Sequence, residues 1–246
     1  MSIQYGVLIK TYKRKNNSTP AYLTRCLKSV VNQSYKNYKV FLIGDKYEDQ
    51  EEFDELSSII PPENLIAINL PVAPERDNPD LQGKALWCSA GCHAAKYGMN
   101  LMKEKGIFHH CRLDDDDYWL PNHLEILNQG YTMFPESVYV YSNALYTDPH
   151  GNTRTFPPEN ISPMLRYNNL PPRPERVIQS AASWRLDKIP VMPRTVLEQG
   201  RVYPGDADLW QRMRAYFNEN NLKTLYIPLT TVIKDSEGYQ IKERNN

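Results

Sequence analysis

Two periods of apolar residues share the first 45 positions of the chain. Tyr5 to Lys10 (Tyr-Gly-Val-Leu-Ile-Lys) is a short, nearly unbroken apolar run with the length of a buried strand. Tyr22, Leu23, Cys26, Leu27, Val30 and Val31 then recur at three- and four-residue spacing and predict a helix with one apolar face. Thr19 is its expected cap and Pro20 its first residue. Tyr38 to Ile43 is a second apolar run and leads into Gly44-Asp45. Strand, helix and strand at this spacing predict a β-α-β unit with parallel strands and a right-handed crossover.

The same reading continues downstream. An acidic helix is expected over Tyr47 to Leu56 and a strand over Leu65 to Leu70. A polar, proline-containing loop follows from Pro71 to Gln82. One long helix is then expected from Ala85 to Lys105, with Gly91 and Gly98 inside it and Gly106 at its end. Ile107 to Leu113 has strand length. A helix is expected from Pro121 to about Gln129, a tyrosine-rich strand over Val138 to Thr147 and a turn at Asp148 to Asn152. Pro157 to Pro174 reads as an irregular loop, Arg176 to Leu186 as holding a strand, and Pro193 to Gln199 as a short helix. A helix opens near Asp206 and runs to about Asn218. Leu225 to Val232 is a strand, and the polar end from Ser236 to Asn246 is expected to fray. The alternation predicts an α/β fold, Rossmann-like, with a mixed, mostly parallel sheet flanked by helices.

Ligands in open α/β sheets bind beyond the carboxyl ends of the strands. Thr11, Asp45 and the run Asp114-Asp115-Asp116-Asp117 all fall at such ends, so three stretches far apart in sequence are expected to meet on one edge. Four adjacent carboxylates repel one another, and a hard divalent cation with oxygen ligands, Mg²⁺ or Mn²⁺, would relieve that repulsion. Lys84, where the polar loop meets the long helix, is placed to meet a phosphate, although a solvated loop lysine has the same pattern. Asp206 and Asp208 begin the last long helix. There they are either favourable charges at a helix N-terminus or a general base facing the acidic run.

Bulk composition narrows the classes. Lysine plus arginine and aspartate plus glutamate both number 29 in 246 residues, and the zero net charge argues against nucleic-acid binding by bulk charge. No apolar run approaches a membrane span and no signal peptide is visible, which predicts a cytoplasmic protein, at most peripheral to a membrane. The four cysteines are too few and scattered for a disulfide scaffold. Cys88, Cys92 and His93 lack a fourth soft-metal ligand and read as core.

Thr11-Tyr12-Lys13-Arg14, Leu27 to Tyr35 and Tyr38 to Asp45 together resemble the opening of the family 2 glycosyltransferases, nucleotide-sugar enzymes with the GT-A fold. Leu113 to Asp117 followed by Pro121 resembles their Asp-x-Asp motif, and Gly205 to Trp210 their later acidic motif. The resemblance implies a single GT-A-like domain over 1–246, with a nucleotide-binding half (1–117) and an acceptor-binding half (118–246). It implies that Thr11, Tyr12 and Asp45 hold the base and ribose, with Arg14 and Asp115 in the same nucleotide-sugar site. Asp114 would lie near the ribose, Asp116 with Asp114 would bind Mn²⁺ or Mg²⁺, and Asp206, or else Asp208, would be the catalytic base. The implied activity is metal-dependent, inverting transfer from a UDP-sugar to a hydroxyl of a glycan or other acceptor. Gly205 departs from the family's Glu, no Arg-Asn pair is evident around Ala94 to Gly98, and no histidine lies around Ile233 to Gly238. Trp119, Trp184 and the tyrosine-rich strand are either core or a platform for sugar rings. Two other readings are a sugar nucleotidyltransferase, which would want a glycine-rich loop after the first strand, and a binding module that has lost catalysis.

Overall fold

One ten-stranded sheet organises the computed structural model, which describes residues 2–147, 151–157, 166–168 (backbone alone) and 177–234. The strands are β1 (Tyr5–Thr11), β2 (Tyr38–Gly44), β3 (Leu65–Asn69), β4 (His109–Asp114), β5 (Asp117–Trp119), β6 (Ser137–Thr147), β7 (Thr153–Phe156), β8 (Arg166–Asn168), β9 (Ala182–Arg185) and β10 (Lys223–Lys234). The helices are α1 (Thr19–Val31), α2 (Gln50–Ser57), α3 (Pro74–Asp77), α4 (Gly83–Ser89), α5 (Cys92–Glu104), α6 (His123–Met133), α7 (Val196–Gln199) and α8 (Gly205–Glu219). The strand order is β3-β2-β1-β4-β9-β6-β10-β5, with β7 on β6 and β8 on β10. β3, β2, β1 and β4 are parallel neighbours, as are β6 and β10, while β9 runs antiparallel between β4 and β6.

Strand alternation divides the core into two layers. Tyr5, Val7 and Ile9 of β1 face the layer packed by Leu23, Leu27 and Val30 of α1 and by Leu124 and Leu127 of α6. Leu8 faces the other layer, with Ala94, Met99 and Met102 of α5 and Leu209, Trp210, Met213 and Phe217 of α8. The same parity sets the end of β1. Thr11 continues the α1 side and Lys10 the α5 side.

β4 and β5 stand far apart in the strand order, yet only Asp115 and Asp116 separate them in sequence. The sheet therefore curls until β5, paired with the last residues of β10, meets the end of β4. The acidic run is the bridge across that closure. It is braced by the Gln33 side chain, which donates to Leu120 O and accepts from Leu124 N, and by the Ser29 hydroxyl, which accepts from Trp119 N.

The β-α-β unit, the α/β class and the mostly parallel sheet are as expected. Three local features differ. The long helix expected over Ala85 to Lys105 is two helices, because Gly91 takes a left-handed φ of 72°. A Cβ there would stand 2.8 Å from the Lys10 side chain, whose Nζ donates to Ala90 O at 3.3 Å. The chain thus turns around Lys10. Thr19 does not cap α1 with its side chain. Its hydroxyl accepts from Arg14 N and donates to Tyr12 O, fastening the loop after β1. The strand expected within Arg176 to Leu186 is Ala182–Arg185, which holds Ser183 and Trp184, whereas Ser180 lies in the 3₁₀ turn Gln179–Ala181 before it. Asp148 to His150 of the expected turn, most of the expected loop from Pro157 to Pro174, and the polar end from Ser236 lie outside the described residues. Among the described residues no helix is long and apolar enough to cross a membrane.

Candidate active site

A cavity of about 590 Å³ opens where β1, β2 and β4 end. Thr11, Tyr12, Arg14 and Asp45 line it, as do Asp114, Asp115 and Asp116, and Asp206 from the start of α8. Lys84 and Asp208 do not line it. Lys84 is exposed on α4, and its neighbour Gly83 reaches the cavity wall instead.

One end of the cavity is aromatic and cationic. The Arg76 guanidinium, from α3, lies 3.6 Å from the Tyr12 ring centroid, and its Nε donates to Asp45 Oδ2 at 2.9 Å. Asp45 is only 2% exposed, and its other oxygen, Oδ1, has no hydrogen-bond partner. A buried carboxylate oxygen without a donor is costly, so this geometry suits a ligand that brings an N–H or O–H.

The acidic run is compensated unevenly. Arg14 grips Asp115 with both terminal nitrogens, at 2.6 and 2.9 Å, and the Thr11 hydroxyl donates to the same carboxylate at 2.7 Å. Arg112 Nε lies 3.4 Å from Asp114 Oδ1. Burial works against charge on Asp114, but Arg112, Lys10 and Lys234 outweigh it and hold the carboxyl at about 2. Asp117 is fully buried. Ser180 donates to it at 2.6 Å and Lys234 at 3.3 Å, and burial with Asp116 and Asp114 nearby still pushes its carboxyl up to about 7. Asp116 has Arg14 at 3.6 Å; burial and then the charge of Asp115 raise its carboxyl. The repulsion within the run is thus met largely by Arg14, Arg112, Lys10 and Lys234. Among the described residues, no group of three or more His, Cys, Asp or Glu side chains converges on a metal position.

Asp206 and Asp208 have different surroundings. Asp208 is 2% exposed and held by Arg194 at 2.9 Å and Arg212 at 2.7 Å. Burial opposes its charge, but those hydrogen bonds prevail and lower its carboxyl. Asp206 is exposed and accepts from Ala207 N at 2.7 Å. Pro204 rather than either aspartate is the cap residue of α8.

Trp119 and Trp184 are buried core, whereas Trp87, 47% exposed on α4, lines the cavity. Cys88 and Cys92 are buried free thiols. Sequence reasoning passed over Lys10, Arg76, Trp87, Gln179 and Lys234, all of which line the cavity. Each looks ordinary in the chain, and they come from elements far apart in sequence: β1, α3, α4, the turn before β9, and β10.

No protein-family profile matches the chain. Among solved structures, Staphylococcus aureus TarS residues 1–349 in complex with UDP superposes with a TM-score of 0.65 at 13% identity, over 98% of this chain and 63% of that one. The complex of the same protein with UDP-GlcNAc gives 0.65 at 14% identity, over 95% and 58%. This chain therefore spans about three-fifths of those TarS chains, and at such low identity the likeness establishes the fold, a GT-A-type arrangement. A protein of Acanthamoeba polyphaga mimivirus named an uncharacterized glycosyltransferase is 37% identical over 238 residues, covering 96% of this chain and 95% of that one. With that identity running almost end to end on a GT-A-type sheet, the chain belongs to the glycosyltransferases.

Proposed function

We propose that the enzyme transfers a sugar from a UDP-sugar to a hydroxyl of a glycan or other acceptor, with inversion at the anomeric carbon. The observation that carries this reading is the convergence of Asp45, Asp114 to Asp116 and Asp206 on one cavity. The binding of UDP and UDP-GlcNAc by TarS supports the choice of donor.

In this reading the ring N–H of uracil donates to the unpartnered Asp45 Oδ1, and Tyr12, stiffened by Arg76, packs against the base. The Arg14–Asp115–Thr11 unit holds the loop after β1 in place beside the ribose. Asp114 and Asp116 are the residues that would hold a Mn²⁺ or Mg²⁺ ion. Both line the cavity, burial and then the charge of Asp115 raise the Asp116 carboxyl, which a cation would relieve, and such ions are commonly held by one or two carboxylates together with substrate phosphates. When bound, the ion supplies neutralisation of the charge that builds on the departing diphosphate. Lys10 and Lys234 add positive charge to the same wall.

Asp206 takes the proton of the acceptor hydroxyl as its oxygen attacks the anomeric carbon from the face opposite the diphosphate. The bond to the diphosphate oxygen breaks and the configuration inverts. General-base help of this kind is worth roughly 10²–10⁴-fold. Asp208, committed to two arginines, instead holds Arg194 at the cavity rim. UDP release from a panel of UDP-sugars, with and without Mn²⁺, tests the reading. Metal-dependent release that Asp116→Ala abolishes is expected. Undiminished metal-dependent transfer by Asp116→Ala would overturn the metal assignment, and absence of release from every donor would overturn the transfer itself.

A further inference from the structure

Gln179 has an environment that none of the roles above explains. It lines the cavity and is 4% exposed, yet neither its Nε2 nor its Oε1 has a hydrogen-bond partner. A buried amide with both ends unmatched is rare, because each lone donor or acceptor forfeits its bonds to water. The backbone that carries it is held in place. Gln179 opens the 3₁₀ turn Gln179–Ala181, and the next residue fastens that turn to the acidic run. Ser180 Oγ accepts from Asp114 N at 3.2 Å and donates to Asp117 Oδ2 at 2.6 Å, while Ser180 O accepts from Trp119 Nε1 at 2.7 Å. The turn that carries Gln179 is therefore fastened to the acidic run, and its buried, unpartnered amide lies at the cavity wall.

We infer that Gln179 is a specificity-determining residue that reads the hydroxyls of the donor sugar. The inference rests on the UDP-sugar reading of the cavity, since a diphosphate beside Asp114 and Asp116 carries its sugar along the same wall. A primary amide donates through Nε2 and accepts through Oε1, the complement of a hydroxyl pair that both donates and accepts. A buried polar group left unpaired by the wrong sugar rejects that sugar far more strongly than an apolar wall does. Gln179 thus selects among sugars and leaves the nucleotide part of the donor untouched.

The test compares dissociation constants of UDP, UDP-glucose, UDP-galactose, UDP-GlcNAc and UDP-GalNAc for the wild type, Gln179→Met and Gln179→Asn. Methionine fills similar space without polar ends and is expected to leave the melting temperature equal or higher. Asparagine keeps the amide one methylene short. The expected result is unchanged UDP affinity in all three proteins, with the wild-type preference between epimeric donors reduced on the order of 10-fold or more by methionine and less by asparagine. Equal preferences in the wild type and Gln179→Met, with UDP still bound by both, would overturn this inference alone and leave only trapped water to meet the amide. No UDP binding by any of the three would overturn the UDP-sugar reading and this inference with it.

Discussion

Arg14 and Asp115 face each other as a two-pronged ion pair, at 2.6 and 2.9 Å, across the end of β1 and the turn after β4. Both side chains are largely buried, and the Thr11 hydroxyl completes the carboxylate's bonds. Removing one partner of a buried pair leaves the other as an uncompensated charge, at a cost of about 3–5 kcal/mol. Arg14→Met is therefore expected to lower stability by about that amount in denaturant unfolding, and Arg14→Met with Asp115→Asn together to recover much of it. Additive losses in the double variant would show that the two residues act separately.

The two aspartates of α8 should separate cleanly in kinetics and stability. Asp206→Asn changes an exposed side chain with one local hydrogen bond, so stability should hold while turnover drops at least about 10²-fold. Asp208→Asn breaks the bonds to Arg194 and Arg212 and should cost about 1.5–3 kcal/mol of stability. The reverse pattern, with Asp208→Asn folded but inactive and Asp206→Asn active, would move the base to Asp208.

His110 sets a pH dependence. It is fully buried against Trp184, neither ring nitrogen has a hydrogen-bond partner, and burial pushes its pKa well below the usual histidine value. Below about pH 6.5 the unfolded chain takes up a proton that folded His110 does not, so its contribution destabilises the fold increasingly as pH falls. It adds nothing above that pH, where both states are neutral. Burial likewise depresses His109 to about 4 and His123 to about 3, and both act in the same direction. His110→Phe should flatten the acid limb of the stability profile by up to about 1.4 kcal/mol per pH unit between pH 6 and 5. Parallel profiles for the two proteins would contradict this.

Among the described residues, Gly91 is the one positive-φ glycine where both conformation and space matter. Alanine there must adopt φ near 72° and meet the Lys10 side chain at about 2.8 Å. Gly91→Ala should cost about 1–2 kcal/mol from the backbone alone. It should also weaken nucleotide binding, because Lys10 lines the cavity.

Much of this was legible in the chain. The β-α-β unit could be read because strand and helix periods in Tyr5 to Gly44 are nearly pure, and both faces of β1 are buried. Thr11, Asp45 and Asp114 were legible as neighbours because parallel strands bring their carboxyl ends to one edge. β5 was not, since three residues carry no periodicity and its pairing depends on sheet closure. The break at Gly91 was hidden because apolar residues continue at helical spacing through Cys88, Cys92 and Ala95, and the half-buried Lys10 side chain that occupies the space beside Gly91 comes from a distant strand. The four aspartates announced a charge problem, but the cations that meet it come from β1, β4, β10 and the loop after β1, which no local pattern reveals.

The central claim is that this cavity holds a nucleoside-diphosphate sugar. The most direct measurement is the melting temperature of the wild type and of Asp45→Ala against UDP and UDP-sugars, with and without Mn²⁺. A ligand that binds the folded state alone raises the midpoint, by about 2.7 kcal/mol of stability at a hundred times its dissociation constant. The account predicts a rise with UDP, a larger one with Mn²⁺ and a subset of UDP-sugars, and little of either in Asp45→Ala. No shift for the wild type with any nucleotide, metal present or absent, would contradict it.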